Sequence, residues 1–198
     1  GSARMYPETD VPAVTITKEL LQKISSTLPE GFEQKVKRFA GMGLASQLAT
    51  EMAKSDLSRQ FEELCVKTRA EPTLVAVTLL QTLTSLSRQG KKVSSIGEKE
   101  LEEALCAVAG GEMMKSGLPV AIEEMAGGNS LQQAIEKRNL KRISGKQLLE
   151  LCEREAKQLQ AATQGKAENE IGKKRLLSLL MAKYRLQVDP AELAQAIG

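Results

Sequence analysis

The sequence has no histidine and no tryptophan, and aromatic residues make up only 3% of its 198 positions. The missing histidine excludes Ser-His-Asp and Cys-His catalysis and any zinc site with an imidazole ligand. The three cysteines, Cys65, Cys106 and Cys152, lie far apart without a CxxC pair, which favours reduced thiols over a metal site or a disulfide. An enzyme would have to use carboxylate or lysine chemistry, so the composition favours a binding module.

Long apolar runs are also missing. No run approaches the ~18 residues that a membrane span needs, and no signal peptide is present, so we expect a cytoplasmic protein without a membrane partner. Leu, Ala, Glu, Lys and Gln dominate instead, and these residues favour helices, whereas β-branched and aromatic residues are few. We therefore predict an all-α fold, long enough for one large core or two small ones.

Apolar residues recur at helical spacing along nearly the whole chain, and polar residues mark where helices begin. Thr17 precedes an apolar stripe and is a good N-cap, as are Asn129-Ser130 and Ser144. Asp189 followed by Pro190 predicts the start of the last helix, because proline suits the first helical position. Residues 74–88 form the most apolar segment and are predicted to be a central helix.

A polar stretch with glycine at its borders, residues 91–97, has the composition of a flexible linker. We expect one helical bundle in residues 16–90 and a second in residues 98–198, with relative motion between them. Residues 1–15 contain two prolines and no apolar periodicity, which predicts an irregular segment. Gly1-Ser2 resembles a tag-cleavage scar, and the residues after it are interpreted as the end of a preceding domain.

Charge is unevenly distributed. The chain carries a net charge of +3, yet residues 138–198 hold 12 Lys and Arg against 7 Asp and Glu. A polyanion is a plausible partner, because phosphate binding strengthens with the number of cations on one surface. A solvated face with internal ion pairs is the alternative. The predicted RNA-binding residues are Arg138, Lys141, Arg142, Lys146, Lys173, Lys174, Arg175, Lys183 and Arg185.

On the penultimate helix, positions 174, 178, 181 and 185 are predicted to share one face, with the leucines of residues 176–180 mostly on the other. Tyr184 is predicted to pack half-buried against the last helix, with stacking on an exposed base as the alternative. The acidic clusters at residues 98–103 and at Glu123-Glu124 are interpreted as solvated helix starts, since adjacent carboxylates on a helix point apart.

A family resemblance is carried chiefly by Arg4-Met5-Tyr6-Pro7-Glu8-Thr9-Asp10. This segment resembles the junction of the GatB/GatE family of tRNA-dependent amidotransferase subunits, in the form of its archaeal branch, the E subunits of glutamyl-tRNA(Gln) amidotransferase. Ala182 and Leu186 stand where the tail pattern of that family has glycines. Weaker matches to the helical and YqeY-like tail domains are Leu28-Pro29-Glu30, Gly43-Leu44, Leu57 to Glu62, Gly172 to Arg175 and Pro190 to Leu193.

The resemblance implies a helical domain in residues 16–90 and a YqeY-like tail domain in residues 98–198. Together they would grip tRNA(Gln), at its outer corner, while a cradle domain outside this chain takes part in converting Glu-tRNA(Gln) to Gln-tRNA(Gln). No catalytic residue, metal or cofactor is implied in this chain. The parent ligase would use ATP and Mg²⁺, with ammonia from an amidase partner subunit, GatD.

Two other function classes are kept as alternatives to tRNA binding. One is a protein–protein docking module of a multi-subunit complex, without RNA contact. The other is a stand-alone enzyme built on carboxylates, which the missing histidine and the lack of a convergent polar motif disfavour. DNA is not expected as a ligand. Salt dependence separates tRNA binding from docking, because RNA affinity falls steeply with salt, whereas the affinity of docking through an apolar groove does not.

Overall fold

The computed structural model describes residues 15–27, 30–163 and 170–197, and the regular elements among them are helical apart from one isolated bridge between Met113 and Lys141. The all-α prediction is confirmed. None of the described helices combines the length and apolar character that crossing a bilayer requires. The α-helices are α1 (Lys18–Thr27), α2 (Phe32–Gly41), α3 (Ser46–Lys54), α4 (Ser58–Thr68), α5 (Pro72–Val77), α6 (Leu83–Arg88), α7 (Glu98–Ala109), α8 (Leu118–Ala126), α9 (Leu131–Arg138), α10 (Lys146–Thr163), α11 (Glu170–Tyr184) and α12 (Pro190–Ile197).

Helix starts follow local side-chain chemistry. In α9, the Ser130 hydroxyl accepts from the Gln133 N–H and the Gln133 side chain accepts from the Ser130 N–H, which forms a capping box. The Asp189 carboxylate accepts from two N–H groups in the first turn of α12, and the Thr17 hydroxyl accepts from one in α1. These three predicted caps are confirmed. The fourth, Ser144, does not adjoin its helix, because α10 begins at Lys146.

The predicted central helix of residues 74–88 is interrupted. α5 and α6 are joined by a π-helical segment, Thr78–Thr82, which leaves Leu79 buried and Gln81 exposed. A π-helical segment of this kind is one extra residue accommodated within an α-helix. The helical period of the sequence cannot reveal such an insertion, because the apolar stripe continues on both sides of it.

Large apolar side chains near the start of the described chain are exposed to solvent. In α1, Leu21 is 51% exposed, and Phe32 at the start of α2 is 47% exposed. The segment that carries the family resemblance, residues 4–10, and the Leu28-Pro29 pair lie outside the described residues. α2 begins at Phe32, with Gly31 as its N-cap.

Buried apolar side chains form two clusters. The larger draws on α2 to α9, and at its centre the rings of Phe39 and Phe61 meet edge to face with centroids 5.1 Å apart. The smaller lies among α10, α11 and α12 around Leu180 and Leu193. Residues on both sides of the predicted linker 91–97 belong to the larger cluster. Shared packing on both sides of a segment does not by itself place or exclude a domain boundary there. The predicted boundary at residues 91–97 therefore stays a prediction.

The turn after α11 joins the two clusters. The Ile143 N–H donates to the Gln187 carbonyl at 2.8 Å, and the Ser116 hydroxyl donates to the Arg185 carbonyl at 3.1 Å. Leu186, partly buried, packs against the larger cluster. These contacts bring the end of α9, the first half of α10 and the end of α11 together around one cleft.

Candidate nucleic-acid interface

A cleft of about 790 Å³ opens where the ends of α9 and α11 meet the first half of α10. Three of the nine predicted cations line it, Arg138, Lys183 and Arg185. A fourth cation, Arg154, was missed by the sequence analysis because Glu153 and Glu155 flank it and mask its charge locally. The structure therefore concentrates part of the predicted basic surface in one concave place.

Helical spacing explains which residues of α10 reach the cleft. Four residues of α10 line the cleft and lie on one face, at intervals of three, one and three residues: Gln147, Glu150, Leu151 and Arg154. On the adjoining side, Leu148 and Cys152 are buried in the smaller cluster. The same amphipathic pattern thus anchors α10 and directs its polar side chains into the cleft.

A buried carboxylate fixes the end of α11. Glu155 is only 3% exposed, and it accepts from the Lys183 ammonium at 2.9 Å and from the Tyr184 hydroxyl at 3.0 Å. The hydrogen bond from Lys183 holds the pKa of Glu155 below its usual range, and Glu155 in turn raises the pKa of Lys183. Tyr184 is partly buried, as predicted, and packs against the smaller cluster; it also lines the cleft.

A second buried carboxylate positions Arg138. Glu124 is 7% exposed in the last turn of α8, and it accepts from Lys137 at 2.7 Å and from Arg138 at 2.6 Å. The hydrogen bonds from Lys137 and then Arg138 lower its pKa to about 2. The interpretation of Glu124 as part of a solvated helix start is wrong, because α9 folds back onto α8 and covers it.

Arg142 has a different surrounding from the other predicted cations. Its guanidinium pairs with Glu192 of α12, and its backbone N–H donates to the Glu112 carbonyl. The Arg142 Nε and Glu192 Oε2 atoms are buried and have no hydrogen-bond partner among the described residues. This ion pair links the larger cluster to the smaller one and leaves Arg142 less available to a ligand than its charge suggests.

The remaining predicted cations are exposed but lie outside the cleft. Lys141 lies in the connection from α9 to α10, and Lys146 is the first residue of α10. Residues 173–175 lie in the first half of α11, ~14 Å along the helix from Lys183 at 1.5 Å per residue. Of the positions predicted to share one exposed face of α11, Arg185 lies just after the end of the helix, and Met181 packs against the smaller cluster. Leu179, 38% exposed, lies on the outer side instead.

Comparison with known proteins gives a consistent set of matches. The GatB domain family model matches residues 59–198. The chain is 33% identical over 196 residues to the E subunit of glutamyl-tRNA(Gln) amidotransferase from Methanocaldococcus jannaschii, a match that covers 96% of this chain and 30% of that protein. The E subunit from Pyrobaculum neutrophilum is 29% identical over 198 residues, covering 100% and 30%, and that from Methanococcus maripaludis is 39% identical over 125 residues, covering 62% and 20%. The chain spans about 30% of the length of the first two relatives.

Proposed function

Because this chain belongs to the GatB domain family, we propose that it is an RNA-binding portion of a glutamyl-tRNA(Gln) amidotransferase subunit and grips the body of tRNA(Gln). The observation that carries the proposal is the cationic cleft within the residues that the family model matches. Arg138, Arg154, Lys183 and Arg185 all line it. Glu150 lines the cleft as well, so the four cations leave it with an excess of positive charge, which suits a polyanion with regularly spaced phosphates.

The buried carboxylates support this role by holding cations in place. Glu124 fixes Arg138 and Glu155 fixes Lys183, while both basic side chains keep about half of their surface exposed. Each carboxylate compensates part of the positive charge, but it also reduces the side-chain entropy that a phosphate contact would otherwise cost. Among the described residues, Arg185 has no ion-pair partner, so its charge is fully available.

Residues 173–175 extend the basic surface beyond the cleft. The ~14 Å along α11 between Lys174 and Lys183 is long enough to contact more than one phosphate of the same strand. An A-form helix is recognised mainly through its backbone and 2′-hydroxyls, so such a surface can follow RNA shape without reading base sequence. We propose that α11 tracks the backbone while the cleft engages one point of the RNA.

In the whole protein, we propose that Glu-tRNA(Gln) is converted to Gln-tRNA(Gln) at sites outside this chain. These residues would hold the RNA, and bond making would use ATP, Mg²⁺ and ammonia delivered by an amidase partner subunit. The similarity to proteins named as E subunits of glutamyl-tRNA(Gln) amidotransferase supports this assignment of roles.

A docking role remains a second candidate because of one specific observation. Ile16, Leu21 and Phe32, in and around α1, are 47% to 72% exposed, which is unusual for large apolar side chains so close in the chain. We propose that this surface contacts another protein surface of the same complex. It lies in the residues before the family match and does not compete with the cleft for RNA.

The test is binding of tRNA(Gln) to this chain by fluorescence anisotropy across a salt series, with tRNA(Glu) as competitor. We expect salt-sensitive binding that prefers tRNA(Gln). The Arg154→Ala/Arg185→Ala variant should lose at least about tenfold in affinity and should lower the slope of log K against log salt by about two. The matched control, Lys37→Ala/Arg59→Ala, removes the same charge from exposed positions on α2 and α4 and should change affinity less than about twofold. Absence of binding at low salt, or equal losses in the two variants, would contradict the proposal.

A further inference from the structure

We propose that the cleft receives an unpaired nucleotide of the RNA, with its base inside the cleft and its phosphate at the rim. This inference rests on the RNA-binding function proposed above and specifies which part of the RNA the cleft binds. It comes from features that phosphate binding alone does not require: an apolar floor, three carboxamides and a ring held in a fixed position.

The floor and walls of the cleft combine apolar and amide groups. Leu151 of the smaller cluster and Ile143, which packs against that cluster, provide apolar surface. The carboxamides belong to Asn139, Gln147 and Gln187. Each carboxamide offers donors and an acceptor together, which is the combination that the edge of a nucleobase presents.

These carboxamides are available to a ligand. Within the described part of the chain, the side chains of Asn139, Gln147 and Gln187 make no hydrogen bond, in contrast to Gln133 in its capping box. Three side-chain carboxamides thus line one concave surface, and none of them hydrogen-bonds to another described residue. A planar ligand with several polar atoms complements such a surface. A phosphate would be served by the cations alone.

Tyr184 forms a rigid part of the wall. Its hydroxyl donates to Glu155 at 3.0 Å and accepts from Arg154 at 3.4 Å, and the Lys183 ammonium lies 5.5 Å from the ring centroid. The ring is therefore held at its hydroxyl end before any ligand arrives. An aromatic side chain fixed in this way loses little entropy when a base packs against it.

The size of the cleft favours a single nucleotide over a duplex as its ligand. About 790 Å³ lies within the ~300–1,000 Å³ range of pockets that enclose small molecules. An A-form duplex presents a wide, shallow minor groove and keeps its bases stacked, so it can only lie across the opening. A nucleotide from a loop or bulge can enter, with its phosphate near Arg154 and Arg185 at the rim.

The test compares two RNA probes with equal numbers of phosphates. One is a hairpin with a seven-nucleotide loop, and the other is a blunt duplex made from the same stem sequence and extended to match. Affinities of the whole chain are measured by fluorescence anisotropy at three salt concentrations. We expect the hairpin to bind at least about tenfold more tightly than the duplex, with similar salt slopes for the two probes.

The Asn139→Gly/Gln147→Ala variant removes two carboxamides from the cleft. Residue 139 has φ 51°, a conformation that glycine adopts without strain, so the first change leaves the backbone in place. This variant should reduce hairpin affinity to near the duplex value and leave duplex affinity unchanged. Gln158→Ala, an exposed glutamine on the same helix outside the cleft, should leave both affinities unchanged, and Lys174→Ala should weaken both probes by the same factor.

The outcomes distinguish this inference from the function on which it rests. Equal affinities for hairpin and duplex, or equal losses of both in the Asn139→Gly/Gln147→Ala variant, would overturn the nucleotide site and leave RNA binding intact. Failure of both probes to bind at the lowest salt concentration would overturn RNA binding and the nucleotide site together. Displacement of the hairpin by polyglutamate at equal charge concentration would point to an acidic protein segment in the cleft and would also overturn the inference.

Discussion

Lys183 on α11 donates to both carboxylate oxygens of Glu155 on α10, at 2.9 and 3.2 Å, although the lysine is half exposed and the glutamate is buried. The ion pair connects α10 to α11 and lies beside the cleft. A residue predicted from its charge to contact RNA is thus also the partner of a buried anion. Loss of the lysine therefore has a structural effect as well as an electrostatic one.

The Lys183→Ala variant should unfold at a lower temperature than the wild type. It leaves Glu155 buried with only Tyr184 and the more distant Arg154 as partners, and an unpaired buried charge is unfavourable. We expect the melting temperature to fall by roughly 2–6 °C, measured by circular dichroism. Adding Glu155→Gln to Lys183→Ala should restore part of the loss, because the buried charge is then gone. A Lys183→Ala variant as stable as Lys174→Ala would contradict this role.

Acid should weaken the contact between α8 and α9 through Glu124. The pKa of this carboxyl is lowered from 4.5 to about 2 in the folded protein, so its ion pairs with Lys137 and Arg138 stabilise the fold fully above pH 4.5. That stabilisation is lost as the pH falls toward 2. Urea unfolding at pH 6, 4 and 3 should show a steeper loss of stability for the wild type than for Glu124→Gln. Parallel curves would exclude Glu124 as a source of the acid sensitivity.

The Arg142–Glu192 pair should control the relative motion of the two packing clusters. Replacing Arg142 by Met keeps much of its apolar stem but removes the ion pair with α12. We expect small-angle X-ray scattering to show a larger radius of gyration for Arg142→Met, with helical content unchanged by circular dichroism. Lys141→Met, an exposed neighbour, is the control and should match the wild type. Identical scattering from all three proteins would assign the coupling to the other contacts between the clusters.

The three thiols should differ in reactivity. Cys106 is exposed, whereas burial raises the pKa of Cys65 to about 11 and raises the pKa of Cys152 as well. Titration with Ellman's reagent at pH 8 should give one fast-reacting thiol and two slow ones. Cys106→Ser should remove the fast phase. Fast reaction of a second thiol in that variant would indicate local opening around Cys65 or Cys152.

Features decided within a few residues could be predicted from the sequence. The caps at Ser130 and Asp189 depend on one side chain and the next turn, and both are confirmed. The family resemblance is confirmed as well, by the family model over residues 59–198 and by archaeal relatives along most of the chain. Local chemistry and family pattern were sufficient for the fold class.

Features that depend on how helices meet could not be predicted in the same way. Arg154 has a glutamate on each side, so only the packing of α10 shows that it lines the cleft while Glu155 is buried behind it. Glu124 has the sequence surroundings of a surface residue, and only the packing of α9 over it shows otherwise. Glu124 positions Arg138 and Glu155 positions Lys183. In both pairs the carboxylate and the cation lie on different helices, so no spacing rule within one helix could have linked them.

The π-helical segment Thr78–Thr82 has a consequence for insertions and deletions in this part of the chain. An α-helix advances about 100° per residue, so removing one residue from a regular turn re-aims every side chain beyond it. Within the π-helical segment, removal of the exposed Gln81 takes out the extra residue instead. Val75 and Leu86 would then keep their directions toward the same packed interior. This is therefore the position in the helix where a one-residue gap between related sequences can be accommodated without repacking.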